Sequence, residues 1–155
     1  MGNVRAAAEA GAFVEKAAGP AGSWRIRAEV RKGMGGHEGV VGDVSISHRM
    51  RMGRTILSVG PRTTLATRQF MQTYFGVSAD QSRRTGLALY SAEGGVLSYG
   101  VGGSVVRPIG KRSAMTLFAG YDRLGGPAGS SPLIEDRGQR AQFTIGLGYG
   151  FRLGL

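Results

Sequence analysis

Residues 142–155 read QFTIGLGYGFRLGL and alternate between two kinds of side chain along their whole length. One parity carries only large apolar residues: Phe143, Ile145, Leu147, Tyr149, Phe151, Leu153 and Leu155. The other parity carries glycine, threonine, glutamine and arginine. A period of two is typical of a β-strand, whose successive side chains point to opposite faces of a sheet. Ordinary strands have about 5–6 residues and membrane strands about 9–11, so the length favours a membrane strand.

Six further segments repeat this alternation. They cover residues 4–14, 22–33, 40–48, 55–66, 95–106 and 114–123. Several of them run for ten or more residues, which again suits a strand that crosses a membrane. The pattern therefore predicts an all-β protein, an antiparallel up-and-down transmembrane β-barrel of which about seven strands are present.

The segment 22–33, GSWRIRAEVRKG, separates charge from apolar surface most completely. A charge that faces lipid costs roughly 2–4 kcal/mol at the membrane midplane, so we assign the charged parity to the lumen. The predicted lumen-facing residues are Arg5, Glu9, Arg25, Arg27, Glu29, Arg31, Asp43, Arg62, Asp122 and Arg152. The predicted lipid-facing residues are Trp24, Ile26, Val30, Leu97, Tyr99, Leu117, Tyr121, Phe143, Ile145, Leu147, Tyr149 and Phe151. The lumen set forms either an anion-favouring lumen or a ladder of cross-strand ion pairs that braces the wall, and we favour the ladder.

The connections between these segments alternate in length. Outer-membrane barrels have short periplasmic turns and longer outer loops. With a periplasmic C-terminus, residues 124–138 and 68–94 are outer loops and are long, whereas residues 108–112 and 49–53 are periplasmic turns and are short. The alternation supports the barrel. Within the longest loop, the spacing of Phe70, Tyr74 and Val77 predicts one short helix, and Ser78 with Gln81, closed by Gly86, predicts a second.

Composition limits the classes of protein that fit. The chain has 155 residues, 28 of them glycine, and no cysteine, so it forms one domain without disulfide or thiolate chemistry. There are 20 Lys+Arg against 10 Asp+Glu, a formal charge of +10. That charge permits nucleic acid, acidic lipid or lipopolysaccharide as partners without choosing among them.

No catalytic constellation is visible. The glycine-rich strings lack the Gly-Lys-Ser/Thr of a phosphate loop, and no nucleophile elbow or spaced triad occurs. His37 and Glu38 are adjacent, but a metal needs three or four ligands, so we predict solvated loop residues there. We predict no enzyme activity, no cofactor and no metal.

Four blocks resemble consecutive parts of the MipA/OmpV family, the MltA-interacting proteins of the Gram-negative outer membrane. They are RAEVRKGMGGHEG, SVGPRTTLATRQFMQTYFGVSADQS, RTGLALYSAEGGV and FAGYDRLGGPAGSSPLIEDRGQRAQFTIGLGYGF, and they occur in the family's order across about residues 22–151. The resemblance implies location in the outer membrane and a barrel of about a dozen strands. An odd strand count and the lack of a signal peptide predict that residues 1–155 are a single partial barrel domain, the C-terminal part of a longer precursor.

The resemblance also bears on partners. Some family members are described as scaffolds that join a lytic murein transglycosylase to a bifunctional penicillin-binding protein, and others are discussed as osmoregulated proteins or adhesins. We therefore expect a scaffold linked to peptidoglycan remodelling, in contact with outer-membrane lipid and lipopolysaccharide. Two alternatives are a small-solute or anion pore, suggested by the inward arginines, and a soluble basic β-protein that binds nucleic acid, which the parity of the arginines disfavours.

Overall fold

A single antiparallel sheet forms the body of the protein. The computed structural model describes residues 7–36 and 38–152. The strands are β1 Ala7–Ala18, β2 Trp24–Gly35, β3 Val40–Met52, β4 Thr55–Ala66, β5 Gly95–Pro108, β6 Ser113–Leu124 and β7 Ala141–Phe151. Each pairs with its neighbours in sequence order, so the up-and-down all-β prediction is confirmed. Within the described residues β1 and β7 do not pair with each other, and the sheet is a partial barrel.

The two longest connections lie at the same end of the sheet. At one end, the long-loop end, residues 36–39, 67–94 and 125–140 join successive strands. At the other, the short-turn end, the connections are residues 19–23, 53–54 and 109–112. The four connections for which length was predicted agree with the prediction, since residues 67–94 and 125–140 are long and residues 53–54 and 109–112 are short. Residues 19–23 and 36–39 have similar lengths and do not distinguish the two ends.

Four short helices lie in the two longest loops: α1 Arg68–Phe75, α2 Ala79–Thr85, α3 Gly126–Gly129 and α4 Pro132–Arg137. None of the helices in the described ranges is long and apolar enough to cross a membrane. The second predicted loop helix is confirmed. Ser78 and Gln81 form a reciprocal capping box, and Gly86 ends α2 in the left-handed conformation with φ 75°.

The first predicted loop helix is shorter than expected. Phe70 and Tyr74 lie in α1, and their ring centroids are 4.6 Å apart. Val77 lies outside the helix, because α1 ends at Phe75 and Gly76 is already extended. Val77 instead forms an isolated antiparallel bridge with Tyr90, which turns the loop back on itself.

The two faces of the sheet differ in chemistry. Directly paired residues share a face, so the register places Glu29 with Asp43, and Asp43 with Thr64, on what we call the charged face. The opposite side, the apolar face, carries most of the exposed aromatic and aliphatic side chains, whereas Phe13 and Phe118 lie on the charged face. The buried core is small and lies at the long-loop end, and we call it the cap cluster: Val41, Ala66, Met71, Ala92, Leu124 and Ala128.

Candidate functional site

Arg31 is the centre of an ion-pair network on the charged face of β1, β2 and β3. Its Nη1 donates to Glu9 Oε2 at 2.9 Å on β1, and its Nη2 donates to Asp43 Oδ2 at 2.7 Å on β3. Its Nε lies 3.4 Å from Glu29 Oε1 on its own strand. Glu29 and Asp43 are directly opposite each other, and two like charges in that position repel. Arg31 contacts both carboxylates and so offsets the repulsion.

The network continues along β2 toward the short-turn end. Arg27 Nη2 donates to Glu29 Oε2 at 2.7 Å, and Arg27 Nη1 lies 3.9 Å from Glu15 Oε2. Glu15 also accepts a hydrogen bond from Arg25. The Arg27 guanidinium also lies over the Phe13 ring, 3.8 Å from its centroid. Arginines and carboxylates alternate along this chain of contacts, because Glu15 of β1 lies between Arg25 and Arg27, so the wall is braced from β1 to β3.

A second ion pair spans β4, β5 and β6. Arg62 Nε donates to Asp122 Oδ1 at 2.8 Å, and Arg62 Nη2 donates to the other oxygen. The two residues are not on neighbouring strands, because Gly100 pairs with Arg62 on one side and with Asp122 on the other. The arginine crosses strand β5, where the absence of side chains at Gly102 of β5 and Gly120 of β6 leaves it room.

Most of the predicted lumen set comes together on the charged face. Arg25, Arg27, Glu29, Arg31, Asp43 and Glu9 form the network, and Arg62 pairs with Asp122. Arg152 lies apart at the short-turn end, where its backbone N–H donates to Arg112 at 2.7 Å, and Arg5 lies outside the described residues. The ladder that we predicted from sequence therefore has the contacts of a braced wall among its described members.

Three members of the network were not predicted. Phe13 and Glu15 lie on β1, which continues to Ala18 and so extends the charged parity beyond residue 14. Thr64 Oγ1 donates to Asp43 Oδ1 at 2.7 Å from β4. Extending the alternation of the first segment from residue 14 to residue 18 would have found Glu15. Nothing in the sequence around Thr64 indicates its hydrogen bond to Asp43.

The predicted lipid-facing residues lie on the apolar face with one exception. All except Leu97 are exposed, from 43% for Ile26 to 70% for Phe143. Leu97 instead packs against the cap cluster, which corrects its predicted orientation. The physical reason is a bulge. Val96 pairs with Leu65 and Ser98 with Thr64, so Leu97 is an extra residue in β5 and the parity shifts by one, leaving Val96 exposed.

The two longest loops, residues 67–94 and 125–140, together form what we call the cap. Two strand residues of the cap cluster, Val41 and Leu124, lie on the charged face. Val41 pairs with Arg31, and Leu124 pairs with Ser98, which in turn pairs with Thr64. The cap therefore packs on the charged face. Met71 of α1 is fully buried there. The cap therefore covers the charged face at the long-loop end instead of extending away from the sheet.

Polar contacts fasten the two loops of the cap to each other. Ser131, which is fully buried, donates its hydroxyl to the Phe75 carbonyl at 2.6 Å, and its oxygen accepts from the Leu133 N–H at 3.3 Å. The Tyr90 hydroxyl donates to the Pro127 carbonyl at 2.7 Å. Burial, followed by the nearby charges of Glu135 and Glu93, raises the pKa of Tyr90 above its usual 10.0, so Tyr90 keeps its proton at neutral pH.

Within residues 7–36 and 38–152, no three His, Asp or Glu side chains converge as metal ligands. The charged side chains of the network neutralise one another, and what they do together is to hold neighbouring strands in register.

Comparisons with known proteins give the chain a context. The family model described as "MltA-interacting protein MipA" matches residues 1–153. Two relatives, each named "Putative outer membrane protein YiaT", come from Escherichia coli strain K12 and Escherichia coli O157:H7, and each is 34% identical over 113 residues. The matched part is 73% of this chain but 45% of the relative, so the chain spans about half the length of these relatives. No solved structure matches the chain.

Proposed function

The chain belongs to the family described as MltA-interacting protein MipA, and from this premise we propose that it is a non-enzymatic scaffold of the outer membrane. Its location in the outer membrane follows from the family and from its relatives. The family's name supports a murein transglycosylase as a partner. We extend the proposal to a penicillin-binding protein as a second partner, so that the scaffold would serve peptidoglycan remodelling.

In this proposal, residues 1–155 form one partial barrel domain, and different parts of that domain lie in different surroundings. The exposed apolar face is suited to the hydrocarbon of the membrane, since a charge there would cost roughly 2–4 kcal/mol. The cap is suited to the outer surface and its lipopolysaccharide, because long loops of such barrels face outward. The short-turn end would then face the periplasm, where the murein enzymes act.

The observation that carries the scaffold proposal is the packing of the cap on the charged face. A conduit needs an open mouth, whereas here Met71 and Ala128 are buried against the sheet at the long-loop end. The described arginines of the predicted lumen set are largely committed to carboxylates on neighbouring strands. A braced wall with a covered end suits a protein that presents surfaces to partners better than one that passes solutes.

The test is direct binding between purified components. The complete gene product, in neutral detergent, should bind a purified lytic murein transglycosylase saturably, and an unrelated barrel of similar size should not. Adding a bifunctional penicillin-binding protein should give a ternary complex. Failure of the transglycosylase to bind would contradict the scaffold role, and recovery of the protein in the soluble fraction would contradict the outer-membrane location itself.

A small-solute or anion pore is the second candidate. It is favoured by four arginines on the charged face, Arg25, Arg27, Arg31 and Arg62, and by a groove of about 230 Å³ beside Arg62 that is lined by serine and glycine. Planar-bilayer recordings of the complete protein test it. Channels whose anion preference falls in Arg27→Glu would establish the pore, and the absence of conductance would leave the scaffold as the better proposal.

A further inference from the structure

Basic side chains surround the short-turn end of the sheet. We call them the basic belt, and they are Lys16, Arg49, Arg51, Arg54, Arg107, Lys111, Arg112 and Arg152. All eight are exposed. In the ranges 7–36 and 38–152, none of them forms an ion pair with another residue. The belt holds eight of the 20 Lys+Arg of the chain at one end of the molecule.

The acidic residues are placed elsewhere. Four of the ten Asp+Glu, namely Glu9, Glu29, Asp43 and Asp122, pair with arginines on the charged face. Five more, Glu38, Asp80, Glu93, Glu135 and Asp136, lie in the loops of the long-loop end. Glu15 alone lies toward the belt, and it is held by Arg25 and Arg27. Among residues 7–36 and 38–152, the belt is therefore a positive surface, and Glu15, the one carboxylate toward it, is already engaged by other arginines.

The geometry points to murein as the partner of this surface, and we propose that the basic belt binds the free carboxylates of the murein peptides. Short turns of outer-membrane barrels face the periplasm, where murein is the abundant polyanion. The backbone N–H of Arg152 donates to the Arg112 carbonyl at 2.7 Å, and Arg51 and Arg54 lie at one turn, so belt charges within each group lie close together. Since the Debye length at physiological salt is about 8 Å, such close charges act together. A polymer that repeats its carboxylates can engage several of them at once.

Position along the strands favours murein over lipid headgroups. Arg49 and Arg51 have the same parity as Asp43 on β3, and Arg49 pairs with Ser58, which has the same parity as Arg62 on β4. Both arginines therefore lie on the charged face, away from the lipid side. Arg54, Lys111 and Arg112 lie in the turns. Only Lys16 and Arg107 lie on the apolar-face parity, opposite Ile26 and Met115, where they could reach a membrane phosphate.

The composition of the belt favours a repeating polymer over a folded protein. Protein interfaces concentrate their energy in a few desolvated anchors surrounded by a polar rim. The charges of the belt are instead all exposed and are spread over β1, β3 and β5, over two turns and over the residue that follows β7. Distributed charge of this kind gives a salt-sensitive attraction that does not need one fixed pose.

Co-sedimentation with purified, protein-free sacculi tests the proposal. The complete gene product in neutral detergent should pellet with sacculi at low salt and be released at about 1 M salt, where the Debye length falls to about 3 Å. Sacculi whose carboxylates have been amidated should not retain it. The triple variant Arg54→Glu, Lys111→Glu and Arg112→Glu changes only exposed turn residues, and we expect its apparent affinity to fall at least tenfold.

The matched control changes the same number of charges at the opposite end. Arg83→Glu, Arg84→Glu and Arg137→Glu alter exposed residues of α2 and α4, and this variant should bind sacculi as the wild type does. Absence of sacculus binding by the wild type, equal loss in both variants, or full binding to amidated sacculi would overturn the proposal. The proposal would also be overturned if the belt bound only to detergent micelles that contain anionic phospholipid and not to sacculi. Because the sacculi carry no protein, failure here is distinct from failure to bind a transglycosylase.

Discussion

At the scale of single residues, glycine decides how the charged side chains can lie on the sheet. Arg62 reaches Asp122 by crossing strand β5 beside Gly102, with its guanidinium close to Gly120 of β6. A side chain at either glycine would occupy the path of the arginine. The many glycines of the charged parity are therefore explained in part by the long side chains that lie across them, which the alternation alone did not show.

Gly60 makes the closest approach to another strand's backbone. A Cβ there would overlap the carbonyl of Ile46 and lie 2.7 Å from the Cα of Ser47, and neither atom can move as the tip of a side chain can. We expect Gly60→Ala to lower the free energy of unfolding by about 1–3 kcal/mol. The measurement is urea unfolding of the complete protein in detergent.

Gly148→Ala is the control for this prediction. A Cβ at Gly148 would meet only ordinary contacts with Thr116 at 3.8 Å, so its effect should stay within about 0.5 kcal/mol. Equal stability of the two variants would show that β3 and β4 do not approach as closely as described.

At the scale of elements, local signals predicted some parts and could not predict others. Helix α2 was predictable because its start and stop are encoded within nine residues, by Ser78, Gln81 and Gly86. The docking of the two cap loops was not, because Ser131 and Phe75 are far apart in the chain and neither carries a pattern. The lipid-facing orientation predicted for Leu97 was wrong for a related reason. Val96 and Leu97 are adjacent and both apolar, so the sequence does not reveal which of them is the extra residue of the bulge.

Ser131 is the polar contact that we expect to hold the cap together. Ser131→Ala leaves the carbonyl of the half-buried Phe75 without its donor, at a cost of about 1–3 kcal/mol in the stability of the cap. Trypsin should then cleave at the exposed Arg83 and Arg84 faster than in the wild type, because cleavage follows local opening of the loop. Ser130→Ala changes an exposed neighbour and should leave the rate unchanged. Identical rates in both variants would mean that Ser131 does not couple the loops.

Tyr90 makes the cap sensitive to alkaline pH. Because its pKa is raised in the folded state, its contribution to stability is complete below pH 10, the usual tyrosine value, and is lost as pH rises through the raised pKa. Near-UV circular dichroism in detergent should therefore report loosening of the cap above about pH 10. Tyr90→Phe should remove that step, whereas Tyr74→Phe should retain it. A transition that persists in Tyr90→Phe would assign the sensitivity to another group.

At the scale of the whole molecule, charge and loop length are distributed along one axis. The long-loop end carries the cap and five acidic residues, and the short-turn end carries the basic belt. The sequence was sufficient for the strand order, the alternating connections and the two faces, because these follow from a period of two and from loop lengths. It was not sufficient for the cap's position on the charged face, because that depends on long-range contacts such as those of Met71 with the sheet.

This axis predicts which end of the protein is reachable from outside the cell. The chain has no cysteine, so single cysteines can be introduced without background: Arg83→Cys on α2 of the cap and Arg54→Cys in the turn between β3 and β4. Both positions are exposed and neither lies on a strand. In intact cells, a maleimide that cannot cross the outer membrane should label the cap position and spare the turn position, because long loops of such barrels face outward. After permeabilisation of the outer membrane both should react equally, which verifies that each thiol is accessible in the folded protein. Labelling of Arg54→Cys in intact cells, with protection of Arg83→Cys, would reverse the orientation and would place the basic belt on the outer surface, away from murein.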